Sequence, residues 1–334
     1  MIGALGANLL GYRHPKVTEA VTRAIALGGP SFSLPHTLEV EVAELIQQMI
    51  PAAERVRFLK TGSEATAAAV RIARAYTGDH WVCSDGYHGW HDEFTSLTAP
   101  ALGVPLSDHI TTMSFTFDKM MAIIEPVRLD VGDEWRAKVT EWTKQSKVMI
   151  FDEIVTAFRM PKFSVARWWG LEPEIICLGK GIANGYPLSV VAGKEEVMNC
   201  GEYFISSTFS GEIMSLAAAK ATLEYLQQKD PKDLWFYANR FQDKVNEILK
   251  PLSIQLDGYG TRAMFPVGEE NGALFMQEAM DQGILIGKAW FYSYAHLEGM
   301  HEDSVLNILG DVAQKVAAGK VKLRGERPVE TFKR

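Results

Sequence analysis

Two unbroken apolar runs, each ending on a single charged side chain, constrain this chain more than any other feature. Val148-Met149-Ile150-Phe151 stops at Asp152, and Ile175-Ile176-Cys177-Leu178-Gly179 stops at Lys180. A strand with one wet face alternates apolar and polar residues, whereas a strand buried on both faces reads as a continuous apolar run. Both runs are therefore expected as inner strands of an α/β protein. Such sheets bind ligands at the carboxyl ends of their strands, so Asp152 and Lys180 should arrive at the rim where a small molecule binds.

The rest of the composition fits that frame. At 334 residues, 47% hydrophobic and 22% charged, the chain is long enough for one large core and a smaller second lobe. A formal net charge of -7, with no Lys/Arg run interleaved with aromatics, argues against a nucleic-acid partner. No apolar segment reaches bilayer-spanning length, and MIGALGANLLGYRHP lacks the basic flank of a signal peptide, so no membrane association and a cytoplasmic location are expected. Cys83, Cys177 and Cys200 are odd in number and widely spaced, which suggests neither a disulfide framework nor a zinc site.

In chain order, Pro15 opens a helix with Val17, Ala20, Val21, Ala24 and Ile25 at helical spacing, which Gly28-Gly29 stop. A second helix is expected over 37–49, with Leu38, Val42, Leu45, Ile46 and Met49 on one face. Arg55 to Leu59 reads as a strand. It leads into Thr61-Gly62-Ser63-Glu64, where Thr61 and Glu64 have capping-box spacing, Gly78 closes the helix, and Ala65, Ala69, Ile72 and Tyr76 form its buried stripe. Free amides and a positive dipole end at such a junction make a phosphate cup around Gly62 and Ser63. A capped helix without a ligand accounts for TGSE equally well.

A strand from His80 to Cys83 runs to a glycine-bounded loop with Tyr87, His88, Trp90 and His91, a platform on which a planar ring could stack, or plain aromatic packing. His88 and His91 with Asp92 or Glu93 are the rival metal set. They lack both an HExxH pattern and a distant third ligand, so no metal is expected. Leu97 to Thr116 has no sustained period and reads as a surface loop. Met121 to Ile124 is a short strand stopped by Pro126, bringing Glu125 to the same rim as Asp152. Glu134 to Lys144 reads as a crossover helix and Ser189 to Ala192 as a further strand. Ser206 to Gly211 forms a loop of hydroxyls before an Ala-rich helix. The Asp230-Pro231 break divides a smaller lobe from the rest, with helices near 235–249 and 303–318. The chain thus divides into an N-terminal segment over 1–34, a large domain over 35–230 and a small domain over 231–334.

No P-loop and no GxSxG elbow occurs, and Gly258-Tyr259-Gly260-Thr261-Arg262-Ala263, though of the form GxGxxA, runs into a strand-like Met264-Phe265-Pro266-Val267 and reads as a hairpin turn. What remains at the rim is a phosphate cup, an aromatic platform, an acid and an amine. Pyridoxal phosphate (PLP) needs that set: a lysine to carry it, an acid on its pyridine nitrogen, a stacked ring and a clamped phosphate.

TGSEATAAAVRIARAYTG, DGYHGWHD, IIEP, VMIFDEIVTAF, CLGKGIANGYPLS and STFSG together resemble, in order, the blocks of the class III, fold type I PLP-dependent aminotransferases, especially glutamate-1-semialdehyde aminomutases and ω-amine transaminases. The resemblance covers roughly residues 10 to 225, and the C-terminal lobe weakly. It implies an α/β fold with a mostly parallel central sheet flanked by helices and a smaller C-terminal α+β domain. It further implies that Lys180 carries the cofactor as a Schiff base and Asp152 pairs with the pyridine nitrogen. Val155 would back the ring opposite Tyr87, Gly62 and Ser63 would hold the phosphate, and Glu125 would lie near the cofactor. Thr208 matches a threonine that reaches the neighbouring subunit's phosphate, implying a homodimer. The chain begins where the family's N-terminal strands would already have passed, and the stretches before Glu125 and between Pro126 and Lys147 are shorter than the family's. The substrate should therefore be set by segments that here are short or absent.

The resemblance implies transfer of an amino group from an amine or amino acid to a ketone, aldehyde or 2-oxo acid in two half-reactions. The nearest rival is an aminomutase that returns the amino group to the same skeleton. A non-catalytic relative using the scaffold for binding is the rival from another class, distinguished by binding PLP without exchanging amino groups.

Overall fold

The structure, a computed structural model, describes residues 2–28, 34–95, 102–105, 110–112 and 120–328. Helices α1 (Pro15–Gly28) and α2 (Thr37–Met49) come first, followed by β1 (Arg55–Leu59), α3 (Gly62–Thr77), β2 (Val82–Asp85), the short α4 (Asp92–Thr95) and β3 (Ile110–Thr112). Next are β4 (Met121–Ile124), α5 (Asp133–Gln145), β5 (Val148–Asp152), α6 (Val165–Trp169), β6 (Ile175–Leu178), β7 (Ser189–Gly193), α7 (Glu195–Met198) and α8 (Ile213–Gln227). The C-terminal part holds α9 (Pro231–Leu249), β8 (Asp257–Tyr259), β9 (Arg262–Met264), α10 (Glu270–Asp281), β10 (Ala289–Trp290), α11 (Tyr294–Gly299) and α12 (Glu302–Ala317).

Among the described residues, seven strands form one sheet in the order β1-β7-β6-β5-β4-β2-β3. Strands β2 to β6 are mutually parallel, and β7 runs antiparallel to both β6 and β1, which turns β1 back to the common direction. The expected mostly parallel sheet is what forms. Its inner strands are apolar throughout because successive side chains point to opposite faces and both faces are covered. Phe151, Ile124 and Leu178 enter one core cluster, while Val148, Ile150, Ile123 and Cys177 enter the other with Ala65, Ala69 and Ile72 of α3. Burying the four apolar residues of β5 contributes about 6–12 kcal/mol, an upper figure because an unfolded chain already hides part of that surface.

Several local expectations shift. Strand β2 begins two residues later than the His80–Cys83 reading, because its pairing with β4 sets Val82 opposite Met121 and leaves Trp81 exposed. Tyr76 and Ile25 are exposed, since each lies near the end of its helix where the period outlasts the surface it packs on. Within Leu97–Thr116, read as loop, β3 adds an edge strand parallel to β2, while most of the stretch lies outside the described residues, as does Gly29. Asp230 accepts from Lys232 N and Pro231 takes the first turn, so α9 starts earlier than expected. The Gly258–Ala263 motif is a β8–β9 hairpin, and a three-stranded antiparallel sheet with α10 and α12 forms the smaller C-terminal α+β part.

Candidate active site

Five parallel strands end on one rim, and the residues at or just beyond those ends converge. Gly62 comes after β1, Tyr87 and His88 after β2, and Glu125 after β4, while Asp152 ends β5 and Lys180 succeeds β6. A cavity of about 330 Å³ opens there, lined by Gly62, Ser63, Tyr87, Glu125, Asp152, Val155 and Lys180 among others. Thr208 is not among its lining residues; it is exposed on the Ser206–Gly211 loop.

The start of α3 forms one wall. Thr61 accepts from Glu64 N, and Glu64 reaches back to Thr61 N at 2.9 Å, closing the capping box. That box leaves the first-turn amides of Gly62 and Ser63 without an intrahelical acceptor. A Cβ on Gly62 would sit 2.9 Å from Ile154 Cδ1, so a larger residue there would have to displace the Ile154 side chain. The loop after β2 is stitched to the same helix. Trp90 N donates to Ser63 Oγ at 3.2 Å, and Thr66 Oγ1 donates to His88 O at 2.6 Å. Gly89, at φ +103°, presses against Ser63 so tightly that a Cβ there would lie 2.3 Å from Ser63 Oγ.

Glu125, 5% exposed, accepts from Tyr87 N at 3.3 Å and so holds the turn that presents Tyr87, itself 36% exposed. Asp152 is deeper. Its Oδ1 accepts from Ile154 N at 3.1 Å, and its Oδ2 lies 2.9 Å from His88 Nδ1, both side chains being almost fully buried. With the Asp152 carboxylate as acceptor, His88 Nδ1 is the donor, and Nε2 finds no partner among the described residues. Lys180 adopts the left-handed region at φ +42°, a strain of about 1–2 kcal/mol that surrounding packing maintains. Burial lowers its pKa from the ordinary 10.5; Asp152 and Glu125 oppose that shift, and Arg262 and Arg159 add to it.

Sequence reasoning missed three things here. It saw His88 only as part of an aromatic or metal cluster, since nothing in the local sequence pairs it with an acid 64 positions away. It gave no role to the N-terminal segment, yet Ala7 lines the cavity, and Asn184 clasps that segment by accepting from Leu10 N and donating to Gly11 O. It also left Lys60 unread. Lys60 lines the cavity and pairs at 3.0 Å with Glu212, which caps α8 through Met214 N. Among the described residues no group of three or more His, Cys, Asp or Glu side chains is placed to hold a metal. No helix among them is long and apolar enough to cross a membrane.

Comparison with known proteins gives the chain's family and fold. The family profile described as aminotransferase class-III matches residues 1–118 and 109–290. The glutamate-1-semialdehyde 2,1-aminomutase of Methanothermobacter thermautotrophicus is 29% identical, covering 95% of this chain and 87% of that protein. Its namesake in Desulforapulum autotrophicum is 34% identical over 68% of this chain and 61% of its own length. A solved transaminase with PLP bound superposes with a TM-score of 0.83 at 22% identity, covering 95% of this chain and 86% of that one.

Proposed function

The chain belongs to the class-III aminotransferase family, and from that premise we propose that it is a pyridoxal-phosphate-dependent aminotransferase. It moves an amino group from an amine or amino acid to a ketone, aldehyde or 2-oxo acid. The observation that carries this reading is the arrival of Lys180 and the His88-supported Asp152 in one cavity from the ends of the adjacent strands β6 and β5.

The residues present fit the cofactor. A cavity of about 330 Å³ is of ligand size, and the uncapped amides of Gly62 and Ser63 at the dipole end of α3 suit a phosphate dianion. Asp152 would offer its carboxylate to a ring nitrogen, and Tyr87 and Val155, which line the same cavity, would pack against the ring. When bound, pyridoxal phosphate supplies the electron sink that makes a substrate carbon acidic.

The chain's own groups do the rest. His88 Nδ1–H and Ile154 N–H fix the orientation of the Asp152 carboxylate by donating to it. Lys180 would hold the cofactor through Nζ, and its free amine would serve as the base and acid that moves a proton at the substrate carbon. Its lowered proton affinity suits that duty, because an amine that is already protonated cannot act as a base. Glu125 keeps Tyr87 in place, and Thr208 on its exposed loop serves the other site of a homodimer.

Absorbance of the purified protein, recorded before and after an amine donor is added, tests this reading. The expected result is a visible cofactor band that the donor shifts and that Lys180→Ala abolishes. A band absent from the wild type, or unchanged in Lys180→Ala, would sink it. A second reading rests on the names of the curated relatives: an aminomutase would turn over a single substrate without any separate acceptor.

A further inference from the structure

On helix α9 the residues Asp233, Tyr237 and Arg240 follow one another at intervals of four and three, so they share one face. That face and the segment 292–302, which carries α11, enclose a cavity of about 380 Å³ that has no lining residue in common with the Lys180 cavity. Its volume is that of a small-molecule site, and the proposed transfer reaction makes no use of it.

The walls carry four carboxylates, Asp230, Asp233, Glu298 and Glu302, against two cations, Lys229 and Arg240. Both cations are already engaged. Lys229 Nζ lies 2.7 Å from Glu298 Oε1, and Arg240 Nη2 lies 3.5 Å from Glu302 Oε1, which Lys244 Nζ also meets at 2.5 Å. Asp230, whose Oδ1 accepts from Lys232 N at 2.9 Å, and Asp233 have no ion-pair partner among the described residues. His296 adds no positive charge: its Nδ1 accepts from Ser293 N at 3.1 Å, and burial lowers its pKa to about 4.

The group that turns this acidic wall into a site is Tyr294. It is 1% exposed and lines the cavity, yet its Oη is buried without a hydrogen-bond partner. Buried hydroxyls are normally bonded, so an orphan at a cavity wall marks a place where a ligand atom belongs. Burial and, after it, Tyr225, Asp233, Glu298 and Asp230 raise the Tyr294 pKa, so the hydroxyl sits at the acid-lined end of the cavity.

We propose that this cavity binds a small organic ammonium ion, with Asp230 and Asp233 as its counter-charge, Tyr294 Oη accepting its N–H, and Tyr237 and Tyr292 packing against its alkyl groups. A metal ion is a poor match, because among the described residues no three His, Cys, Asp or Glu side chains are placed to hold one. An anion would meet two unpaired carboxylates.

Trimethylammonium is the probe, because it keeps one N–H yet, as a tertiary amine, cannot condense with a carbonyl and so cannot enter the transfer reaction. In calorimetric titration of cofactor-loaded protein, with ionic strength held constant by sodium chloride, it should bind saturably with one ion per chain. Tyr294→Phe removes the accepting oxygen and keeps the ring, and should weaken binding at least tenfold. Asp233→Asn should weaken it about threefold. Asp233 is exposed, so this variant keeps the test open should Tyr294→Phe disturb the fold. Lys180→Ala should bind the probe as the wild type does. No saturable binding in the wild type, or an affinity that Tyr294→Phe or Asp233→Asn leaves unchanged, would overturn the proposal. So would loss of binding in Lys180→Ala, which would put the cation in the other cavity.

Discussion

Replacing His88 should slow the reaction while leaving the cofactor in place. His88 Nδ1 sits 2.9 Å from Asp152 Oδ2, with the His88 side chain fully buried and that of Asp152 4% exposed. A hydrogen bond to a charged group contributes about 1.5–3 kcal/mol, and 1.4 kcal/mol is a factor of ten, so removing it should lower kcat/KM by roughly 10- to 150-fold. The loss stops short of that of an Asp152 variant because Ile154 N still donates to Asp152 Oδ1 at 3.1 Å. The imidazole also packs edge-on against Phe94 at 5.5 Å, so His88→Ala would add a cavity cost of about 2–4 kcal/mol to stability. His88→Phe fills that volume and removes the donor, and the over-packing cost of its larger ring is read separately from the thermal midpoint. The assay is kcat/KM for the best donor, with the thermal midpoint measured in parallel, in a double-mutant cycle with Asp152→Asn. If His88 works through Asp152, the double variant should be little worse than Asp152→Asn alone. The reasoning fails if His88→Phe stays within about twofold of wild type, or if the two substitutions add fully.

Lys180 makes stability depend on pH in a definite direction. Its folded-state pKa lies below 10.5, so between the two values the unfolded chain binds a proton that the folded one resists, and wild-type stability rises with pH toward 10.5. Cofactor-free Lys180→Met should therefore be the more stable protein at neutral pH, with the advantage shrinking as pH approaches 10.5; parallel pH profiles in chemical denaturation would count against this. Gly89→Ala forces a residue with a side chain to φ +103° and puts its Cβ 2.8 Å from Ser63 Cα, so a loss of about 2–4 kcal/mol and a weaker cofactor complex are expected in denaturant titration and absorbance titration. Glu153 is fully buried and accepts from Ser164 Oγ, Val165 N, Ala166 N and Thr156 Oγ1. Glu153→Ala strands those donors and should cost about 3–5 kcal/mol, partly recovered by Glu153→Gln, as read from the thermal midpoint.

The parts of this molecule that could be read in advance are those whose signal is local. Strands β5 and β6 announce themselves because burial on both faces removes every polar residue until the rim, where Asp152 and Lys180 appear. The capping box of α3 is legible because Thr61 and Glu64 act within one turn of each other. The antiparallel insertion of β7 between β1 and β6 is not, since Ser189–Gly193 would read the same in either direction. Nor is the start of β2, which its pairing partner β4 decides.

The sequence by itself placed a carboxylate and an amine at the rim ends of two buried strands and a glycine and a serine at the opening of a capped helix, and so pointed to that rim as the candidate site. Tertiary structure alone decided which distant groups touch these: His88 against Asp152, Glu125 under the Tyr87 turn, Arg159 beside Gly181. The physical reason is one of range. Periodicity, capping and turn chemistry act over a few residues and leave their mark in the string, whereas a hydrogen bond across 64 positions depends on a strand order and register that no local segment encodes.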